Sequence, residues 1–379
     1  MGRTIKMAES PMEGHPDKLA DLIADALLDE FIKKDPYSRV SLEILLISGM
    51  TFVAGHVSTE GYVDIPGVVR KTIKEVGYNR PEYGFDADAS AVITSIEEQS
   101  PDIVLGISSE GAGDTATVVG YACLDTPNYM PLPISIAHTL SQKVSELRKS
   151  GRAPFLRPDG KTLITVVYED NKPLFVKDLI VFCQHDPETS LEKLRDYIHE
   201  EVIRKVIPQH LIQKETRILI NPSGRFVLGG PIADAGQTGR KIVSDAYGDV
   251  AYSGGSAFSG KDPTKTDRTA SYMARLMAKH VVASGLAQRC MVQMAYAFGM
   301  NEVIAFDIET YGTEKVDKEK IKARLLELFP TNPKKMIDFL DLRKPLYKQT
   351  ACYGHFGKEN LPWEKLTKLE ELSELKKEV

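Results

Sequence analysis

The most constraining feature of this 379-residue chain is a glycine-rich segment between Gly224 and Gly260 that runs on into KDPTKTDR. The segment holds nine glycines in 37 residues, whereas the whole chain has 28. Glycine lets backbone N–H groups approach an anion closely, and the helix predicted after Pro263 would direct its positive end at a phosphate. Three cations add charge to this region: Lys261, Lys265 and Arg268. The pattern predicts phosphate binding, with a tight turn and solvated lysines as the alternative.

The spacing Gly255-x-x-x-x-Gly260-Lys261 nearly matches a P-loop. However, Asp262 stands where a P-loop needs a Ser or Thr hydroxyl for Mg²⁺, and the preceding DVAYS is short and half polar for a buried strand. We therefore favour phosphate binding by another route, and a P-loop-like kinase or NTPase remains an alternative.

Two further segments repeat the combination of glycine and cations. Gly236–Lys241 reads GQTGRK, and RPDGK places Lys161 in a predicted turn. Three cationic turns predict a polyphosphate ligand such as a nucleoside triphosphate. Such anions are usually held by Lys, Arg and Mg²⁺ together, so carboxylates should supply the metal site.

Composition excludes several other classes of protein. A length of 379 residues predicts two or three domains at about 100–200 residues each. A net charge of −5 provides no overall basic field for nucleic acid or a membrane surface. Because no stretch resembles a signal peptide or membrane span, and the four cysteines are far apart, we predict a cytoplasmic protein with reduced, mostly buried thiols.

Hydrophobic periodicity predicts a mixed α and β protein. A helix should begin near Pro16, and a β-hairpin should turn at Asp170-Asn171. RILINPSGRFVLGG should form strand, turn and strand, whereas QSPDIVLGISSEGAGD has no periodicity and is predicted to be a lid loop. Further helices are predicted over residues 65–76, 134–149, 190–205 and 270–281, and in the charged C-terminal tail.

Three side chains are candidates for metal binding. Asp17 and Asp267 each lie beside a predicted helix start, where a carboxylate could reach bound phosphate or simply cap the helix. Glu43 is the only charge between Val40 and Phe52, and burying it without a partner would be costly. It is therefore either a cation ligand or an exposed residue on an edge strand.

The other candidates are individually ambiguous. His15 could donate a hydrogen bond to a reacting oxygen or could be a capping or surface residue. Three aspartates lie in predicted turns with glycine, where aspartate is commonly structural: Asp114, Asp159 and Asp234. Only their occurrence together with the cations indicates a shared site.

The chain resembles the S-adenosylmethionine synthetases, or methionine adenosyltransferases, of bacterial and eukaryotic type. The segments that carry the resemblance are, in order, GHPDK, EQSPDI, GAGD, LRPDGK, GRFVLGGP, TGRK, AFSGKDPTKTDR and YGHFG. The resemblance runs from about Glu9 to Trp363. It implies three similar α/β domains with pseudo-threefold symmetry and sheets packed on helices, at about 4–102, 111–228 and 230–369. It also implies a homotetramer built as a dimer of dimers, with active sites shared across the dimer interface.

The implied reaction transfers the adenosyl group of ATP to the sulfur of L-methionine and then hydrolyses tripolyphosphate to pyrophosphate and phosphate. The resemblance implies catalytic roles for His15, Lys161, Arg240, Lys241 and Lys261. It also implies ATP contacts at Asp114, Asp159, Gly160, Arg225, Phe226, Asp234 and Ala257, besides the catalytic residues. Methionine would be bound at position 56 and by Gln99, Asp234 and Lys265. Two Mg²⁺ per site would bind Asp17 and Asp267, and K⁺ would bind Glu43.

The chain departs from the family pattern at His56, where a glutamate is usual on the methionine side. The predicted lid is also shorter than usual, and Ser256 replaces a glycine. These differences predict altered methionine affinity or selectivity. They also keep open a divergent paralogue with another amino-acid substrate, reduced activity or a structural role in an oligomer.

Overall fold

A computed structural model of the protein describes residues 2–98 and 111–378. In this part of the chain the strands are β1 (Arg3–Pro11), β2 (Arg39–Ile47), β3 (Met50–Ser58), β4 (Ala91–Glu97), β5 (Ala116–Cys123), β6 (Leu156–Glu169), β7 (Lys172–His185), β8 (Arg217–Ile220), β9 (Gly236–Gln237), β10 (Arg289–Tyr296) and β11 (Ala305–Glu309). The main helices are α1 (Pro16–Lys34), α2 (Ile65–Val76), α3 (Leu132–Lys149), α4 (Leu191–Ile198), α5 (Ile242–Asp245), α6 (Thr266–Ala283), α7 (Lys318–Leu328), α8 (Pro333–Phe339) and α9 (Leu369–Ser373).

The strands form three sheets, each with its own hydrophobic core against helices. Their strand orders are β4-β3-β2-β9, β1-β6-β7-β8 and β11-β10-β5. Each sheet takes a strand from a distant part of the chain, since β9, β1 and β5 each join a sheet formed mainly by another segment. The prediction of an α/β fold with sheets packed on helices is confirmed.

Most of the predicted elements are present. Helix α1 begins at Pro16 with His15 as its N-cap, and α2 has the predicted bounds. The β6–β7 hairpin turns at Asp170 and Asn171, both with positive φ. The predicted helix over 190–205 is α4 followed by a π-helical turn (His199–Ile203) and a short helical turn (Arg204–Val206). All four cysteines are buried and none forms a disulfide.

Two local predictions are wrong. RPDGK is not a turn: it lies in β6, where Lys161 pairs with Pro11 of β1 and Phe182 of β7, and the irregular register near Gly160 accommodates the turn-like composition. Only the first part of RILINPSGRFVLGG forms a strand, β8; after the turn, the Phe226 carbonyl accepts one bond from the His185 amide of β7, and no second strand forms. The predicted C-terminal helix is present but shorter, as α9 followed directly by a 3₁₀ turn (Glu374–Glu378). The predicted lid lies largely outside the described residues.

Strand β2 and helix α1 together support the glycine-rich segment. Thr238 donates its amide to the Ile44 carbonyl at 3.0 Å, and Leu42 donates its amide to the Gly260 carbonyl at 3.0 Å. Both cation-bearing loops therefore lie along the same edge of β2. None of the helices in residues 2–98 and 111–378 is long and apolar enough to span a bilayer.

Candidate active site

A cavity of about 360 Å³ lies where the N-terminus of α1 meets β6 and the segment 223–234. Seven predicted site residues line it: His15, Asp159, Gly160, Lys161, Arg225, Phe226 and Asp234. Three larger cavities, of about 530, 690 and 800 Å³, are lined by none of the predicted residues. The smaller cavity is therefore selected not by its size but by the predicted site residues that line it.

His15 is held in one orientation at the start of α1. Its Nδ1 accepts a hydrogen bond from the Asp17 amide at 3.2 Å. Burial of the ring and then the charge of Lys241 lower the pKa of His15 to about 4. The imidazole is therefore neutral near pH 7, and because Nδ1 accepts a hydrogen bond, the ring proton lies on Nε2. A neutral donor beside cations suits a developing oxyanion.

Asp17 gathers cations at one side of this cavity. Its Oδ2 accepts a hydrogen bond from Lys241 Nζ at 2.6 Å, its Oδ1 accepts one from the Gln237 amide at 3.0 Å, and Arg240 lies 3.6 Å away. Burial would raise the pKa of Asp17, but the bonds from Lys241 and Gln237 hold it below its usual value. The carboxylate is thus ionised and available to a cation.

Sequence reasoning missed Glu9, whose Oε2 accepts a hydrogen bond from Lys161 Nζ at 2.9 Å. The sequence shows only an acidic residue near the end of a β-strand. It does not show that this residue meets Lys161, because that contact is set by the β1–β6 register, which pairs Pro11 with Lys161. Asp159, near Lys161, accepts a bond from the Gly230 amide at 2.8 Å. Burial raises the pKa of Asp159 to about 6, even though two backbone amides favour its ionised form.

Contacts join other predicted residues into a second group around the start of α6. Lys261 Nζ donates to Asp267 Oδ2 at 2.6 Å and to Ser256 Oγ at 2.7 Å. Asp114 Oδ2 is buried without a hydrogen-bond partner. Burial raises the pKa of Asp114 to about 6 against the opposing charge of Lys261. An orphaned, buried carboxylate oxygen is costly, which makes this group a candidate site for a ligand.

The P-loop alternative is not supported by this geometry. Asp262 is fully buried and accepts bonds from the Val40 and Thr264 amides, both at 2.8 Å, with Lys265 Nζ 3.3 Å away. Its position, where a P-loop requires a hydroxyl for Mg²⁺, is thus used to attach the loop to β2. Helix α6 begins only at Thr266, five residues after Lys261.

The remaining predicted residues are distributed over both groups and the sheet. Ala257 packs so closely against Gly239 that a Cβ there would come within 2.5 Å of the alanine methyl. Glu43 and His56 are exposed on the β2–β3 face. Glu43 is thus exposed on a sheet face and not on an edge strand, since β3 and β9 flank β2. Gln99 lies outside the described residues.

Asp17 and Asp267 fit a magnesium ion held jointly with phosphate. Each offers hard oxygen atoms, and each now lies within 2.6 Å of a lysine predicted to hold the triphosphate. Among residues 2–98 and 111–378, no group of three His, Cys, Asp or Glu side chains could cage a metal alone. Mg²⁺ typically uses one or two carboxylates plus substrate phosphates and water. The donor set agrees with that mode.

Cations and carboxylates paired around a small cavity, in a mixed α/β fold, are typical of an enzyme active site. Models of the N-terminal, central and C-terminal domains of S-adenosylmethionine synthetase match residues 3–101, 109–226 and 228–365. The chain belongs to the S-adenosylmethionine synthetase family.

Individual relatives agree over nearly the full length. The S-adenosylmethionine synthase of Aquifex aeolicus is 64% identical over 371 residues, covering 98% of this chain and 99% of that protein. That of Thermus thermophilus is 51% identical over 381 residues, covering 96% of each. That of Clostridium tetani is 49% identical over 389 residues, covering 98% of this chain and 100% of that protein.

Proposed function

We propose that this chain transfers the adenosyl group of ATP to the sulfur of L-methionine and then hydrolyses the tripolyphosphate to pyrophosphate and phosphate. The observation that carries the proposal is the position of Lys161 and His15 in one cavity, with Lys241 beside it on Asp17. A thioether sulfur has a lone pair and no proton to lose, so the reaction needs no general base. It needs positioning and stabilisation of a long anionic leaving group.

The residues divide this work by chemistry. Neutral His15 would donate from Nε2 to the oxygen that departs from the ribose C5′. Arg240 and three lysines with exchangeable partners would hold the triphosphate: Lys161, Lys241 and Lys261. Mg²⁺, when bound by Asp17 and Asp267, would neutralise phosphate charge. The other ATP contacts would be Asp114, Asp159, Gly160, Arg225, Phe226, Asp234 and Ala257. Each lysine now bonds a carboxylate or hydroxyl that phosphate oxygens would replace.

We also propose the assembly and ion use that the family resemblance implies. These are a homotetramer formed as a dimer of dimers, two Mg²⁺ per site, K⁺ at Glu43, three domains at about 4–102, 111–228 and 230–369, and action in the cytoplasm. The outer face of the β2–β3–β4 sheet supports the dimer, because it exposes several large apolar side chains: Leu45 (44%), Ile47 (48%), Met50 (37%) and Ile93 (41%). Apolar patches of this kind usually mark an interface. Glu43 and His56 lie on the same face, so a second copy would bring them into a shared site.

The direct test is to incubate the protein with ATP, methionine, Mg²⁺ and K⁺ and to identify the sulfonium product, phosphate and pyrophosphate by mass spectrometry. Lys161→Ala should lower kcat by about 10²–10³, the usual effect of losing one charge-stabilising donor. His15→Asn should be similarly impaired, and near-normal turnover would reject the role of His15. Nucleotide hydrolysis without methionine and without a sulfonium product would favour an NTPase instead.

Methionine recognition is tested separately. The proposed methionine contacts are His56, Gln99, Asp234 and Lys265, and the test substitutes the first of them. His56→Glu should change the KM for methionine while leaving the KM for ATP unchanged, because the side chain lies on the sheet face and not in the His15 cavity. An unchanged methionine KM would argue against a role for His56 in amino-acid selection.

A further inference from the structure

Helix α1 carries aspartates at four-residue intervals along one face: Asp17, Asp21, Asp25 and Asp29. Residues four apart lie above one another on a helix, so the four carboxylates form a ladder. All four are buried, and Asp21 and Asp25 have no exposed surface. Four buried carboxylates on one helix are costly unless each has a cation or a hydrogen-bond donor as a partner. The partners of the four aspartates therefore indicate what these residues do.

Every carboxylate of the aspartate ladder accepts a hydrogen bond from a backbone amide of a distant segment of the chain. Asp17 accepts from Gln237 at 3.0 Å, and Asp21 accepts from Gly239 at 2.9 Å. Asp25 accepts from Gly260 at 2.9 Å. The two middle bonds therefore attach the residue directly before Arg240-Lys241 and the residue directly before Lys261.

Asp29 differs from these three in what it holds. It accepts from the amides of Tyr347 and Lys348, at 2.8 and 3.0 Å. Neither residue is among the predicted phosphate, methionine or metal contacts. Asp29 therefore makes the same kind of bond from the same helix face, but to a loop with no proposed role in the reaction.

The two middle aspartates are also fixed by buried cations. Lys18 Nζ donates to the second oxygen of Asp21 at 2.8 Å and to Asp245 at 2.5 Å. Arg268 forms two bonds to Asp25, both 2.8 Å long, and Ser259 Oγ donates to Asp25 at 3.0 Å. Since these partners are buried as well, the acceptor oxygens have little freedom to move.

The attached residues must be glycine for the loops to come this close. Gly239 and Gly260 have φ of +80° and +81°, in the left-handed region that other residues rarely adopt. A Cβ on Gly260 would come within 2.1 Å of the Leu42 carbonyl oxygen, and one on Gly239 within 2.5 Å of the Ala257 methyl. Each loop is thus confined on one side by packing and on the other by an aspartate.

We propose that Asp21 and Asp25 are positioning residues that hold the two cation-bearing loops in the geometry needed to bind the triphosphate chain. They do not touch the substrate and act through the backbone of Gly239 and Gly260. This inference rests on the proposed function of Arg240, Lys241 and Lys261 as triphosphate ligands. It assigns a specific task to carboxylates that the chemistry itself does not use.

The test compares Asp21→Asn with Asp29→Asn, a matched pair of acid-to-amide changes on one helix face. Inorganic tripolyphosphate with Mg²⁺ is the probe, and binding to the full-length protein is measured by calorimetry. Asp21→Asn keeps one acceptor oxygen for Gly239 but loses the charge that fixes it to Lys18, so it should weaken binding by about tenfold and lower kcat while leaving the KM for methionine unchanged. Asp29→Asn should bind within about twofold of wild type. Equal losses in the two variants, or unchanged binding in Asp21→Asn, would overturn the proposal.

A milder variant covers the case in which Asp21→Asn does not fold. Ser259→Ala removes one hydroxyl bond to Asp25 and keeps both the Asp25–Arg268 pair and the Gly260 bond. It should weaken tripolyphosphate binding by about threefold, and wild-type affinity would count against the proposal. Wild-type protein that bound tripolyphosphate but formed no sulfonium product would reject the proposed reaction and leave the positioning role standing.

Discussion

Helix α1 and the β2–β3–β4 sheet share one hydrophobic core, yet their remaining faces are opposite in character. The helix buries charged aspartates, whereas the sheet exposes Leu45, Ile47 and Ile93 to solvent. Both arrangements are unfavourable for an isolated element, since buried charge needs compensation and an exposed apolar face needs a cover. For α1 the compensation lies within the same chain. For the sheet we propose that it comes from a second copy.

The difference shows that burial alone does not identify a functional face. On α1, the aspartates are ordered by amides and cations and lie directly behind the loops that carry Lys241 and Lys261. On the sheet, Glu43 and His56 are exposed, and their environment depends on the partner that covers this face. One half of the proposed site is thus organised by the monomer and the other half by assembly. Three experiments test this contrast.

The largest effect is expected for Asp25→Asn. It leaves Arg268 fully buried without its carboxylate, and breaking a buried ion pair costs about 3–5 kcal/mol of unfolding free energy. Urea denaturation should show this loss. The matched change on the sheet, Glu43→Gln, alters an exposed carboxylate and should shift stability by no more than about 0.5 kcal/mol. Similar losses in the two variants would remove the contrast between the faces.

An intermediate effect is expected for Ile47→Asp, which places a charge on the apolar sheet face. Because Ile47 is 48% exposed, the monomer should keep its far-UV circular dichroism and its unfolding midpoint. If a second copy covers this face, sedimentation should show a shift toward monomer, and activity should fall with it. Unchanged assembly would mean that the dimer uses another surface. Exposed Tyr62→Asp, away from the sheet strands, serves as the control.

The smallest effect concerns His280, a buried residue of α6 that belongs to neither face. Its Nδ1 lies 2.8 Å from the Leu276 carbonyl, and its Nε2 accepts from the Lys368 amide at 3.1 Å, so the ring is neutral. Burial lowers the pKa of His280 to about 4. The unfolded chain takes up this proton near pH 6.5 and the folded chain only near 4, so its contribution to stability is full above pH 6.5 and declines toward pH 4.

The measurement compares wild type with His280→Gln by urea denaturation at pH 7.5 and pH 5. The stability advantage of wild type should be smaller at the lower pH, because only wild type must keep this imidazole neutral against protonation. An advantage that stays constant across this range would show that burial without a charge partner does not govern the ring. That result would weaken the argument that burial makes the aspartates of α1 costly.

Much of the fold could be predicted from local signals. Pro16 and the apolar spacing after it marked α1, and Asp170-Asn171 marked the β6–β7 turn. RPDGK failed because turn composition was overridden by pairing on both sides of β6, with Pro11 and Phe182 opposite Lys161. Tertiary pairing of this kind has no local signature. The carboxylate of Glu9 was missed for the same reason.

The sequence by itself determined the chemical inventory: the cations beside glycines, His15 before Pro16, and aspartates repeated every four residues along α1. These features are local, since glycine content and helix period act over a few residues. Only the tertiary structure decided which carboxylate meets which lysine and which loop each aspartate holds. Several of those contacts join residues more than 200 positions apart, such as Asp21 with Gly239 and Asp25 with Gly260, and depend on strand pairing and packing of the whole chain.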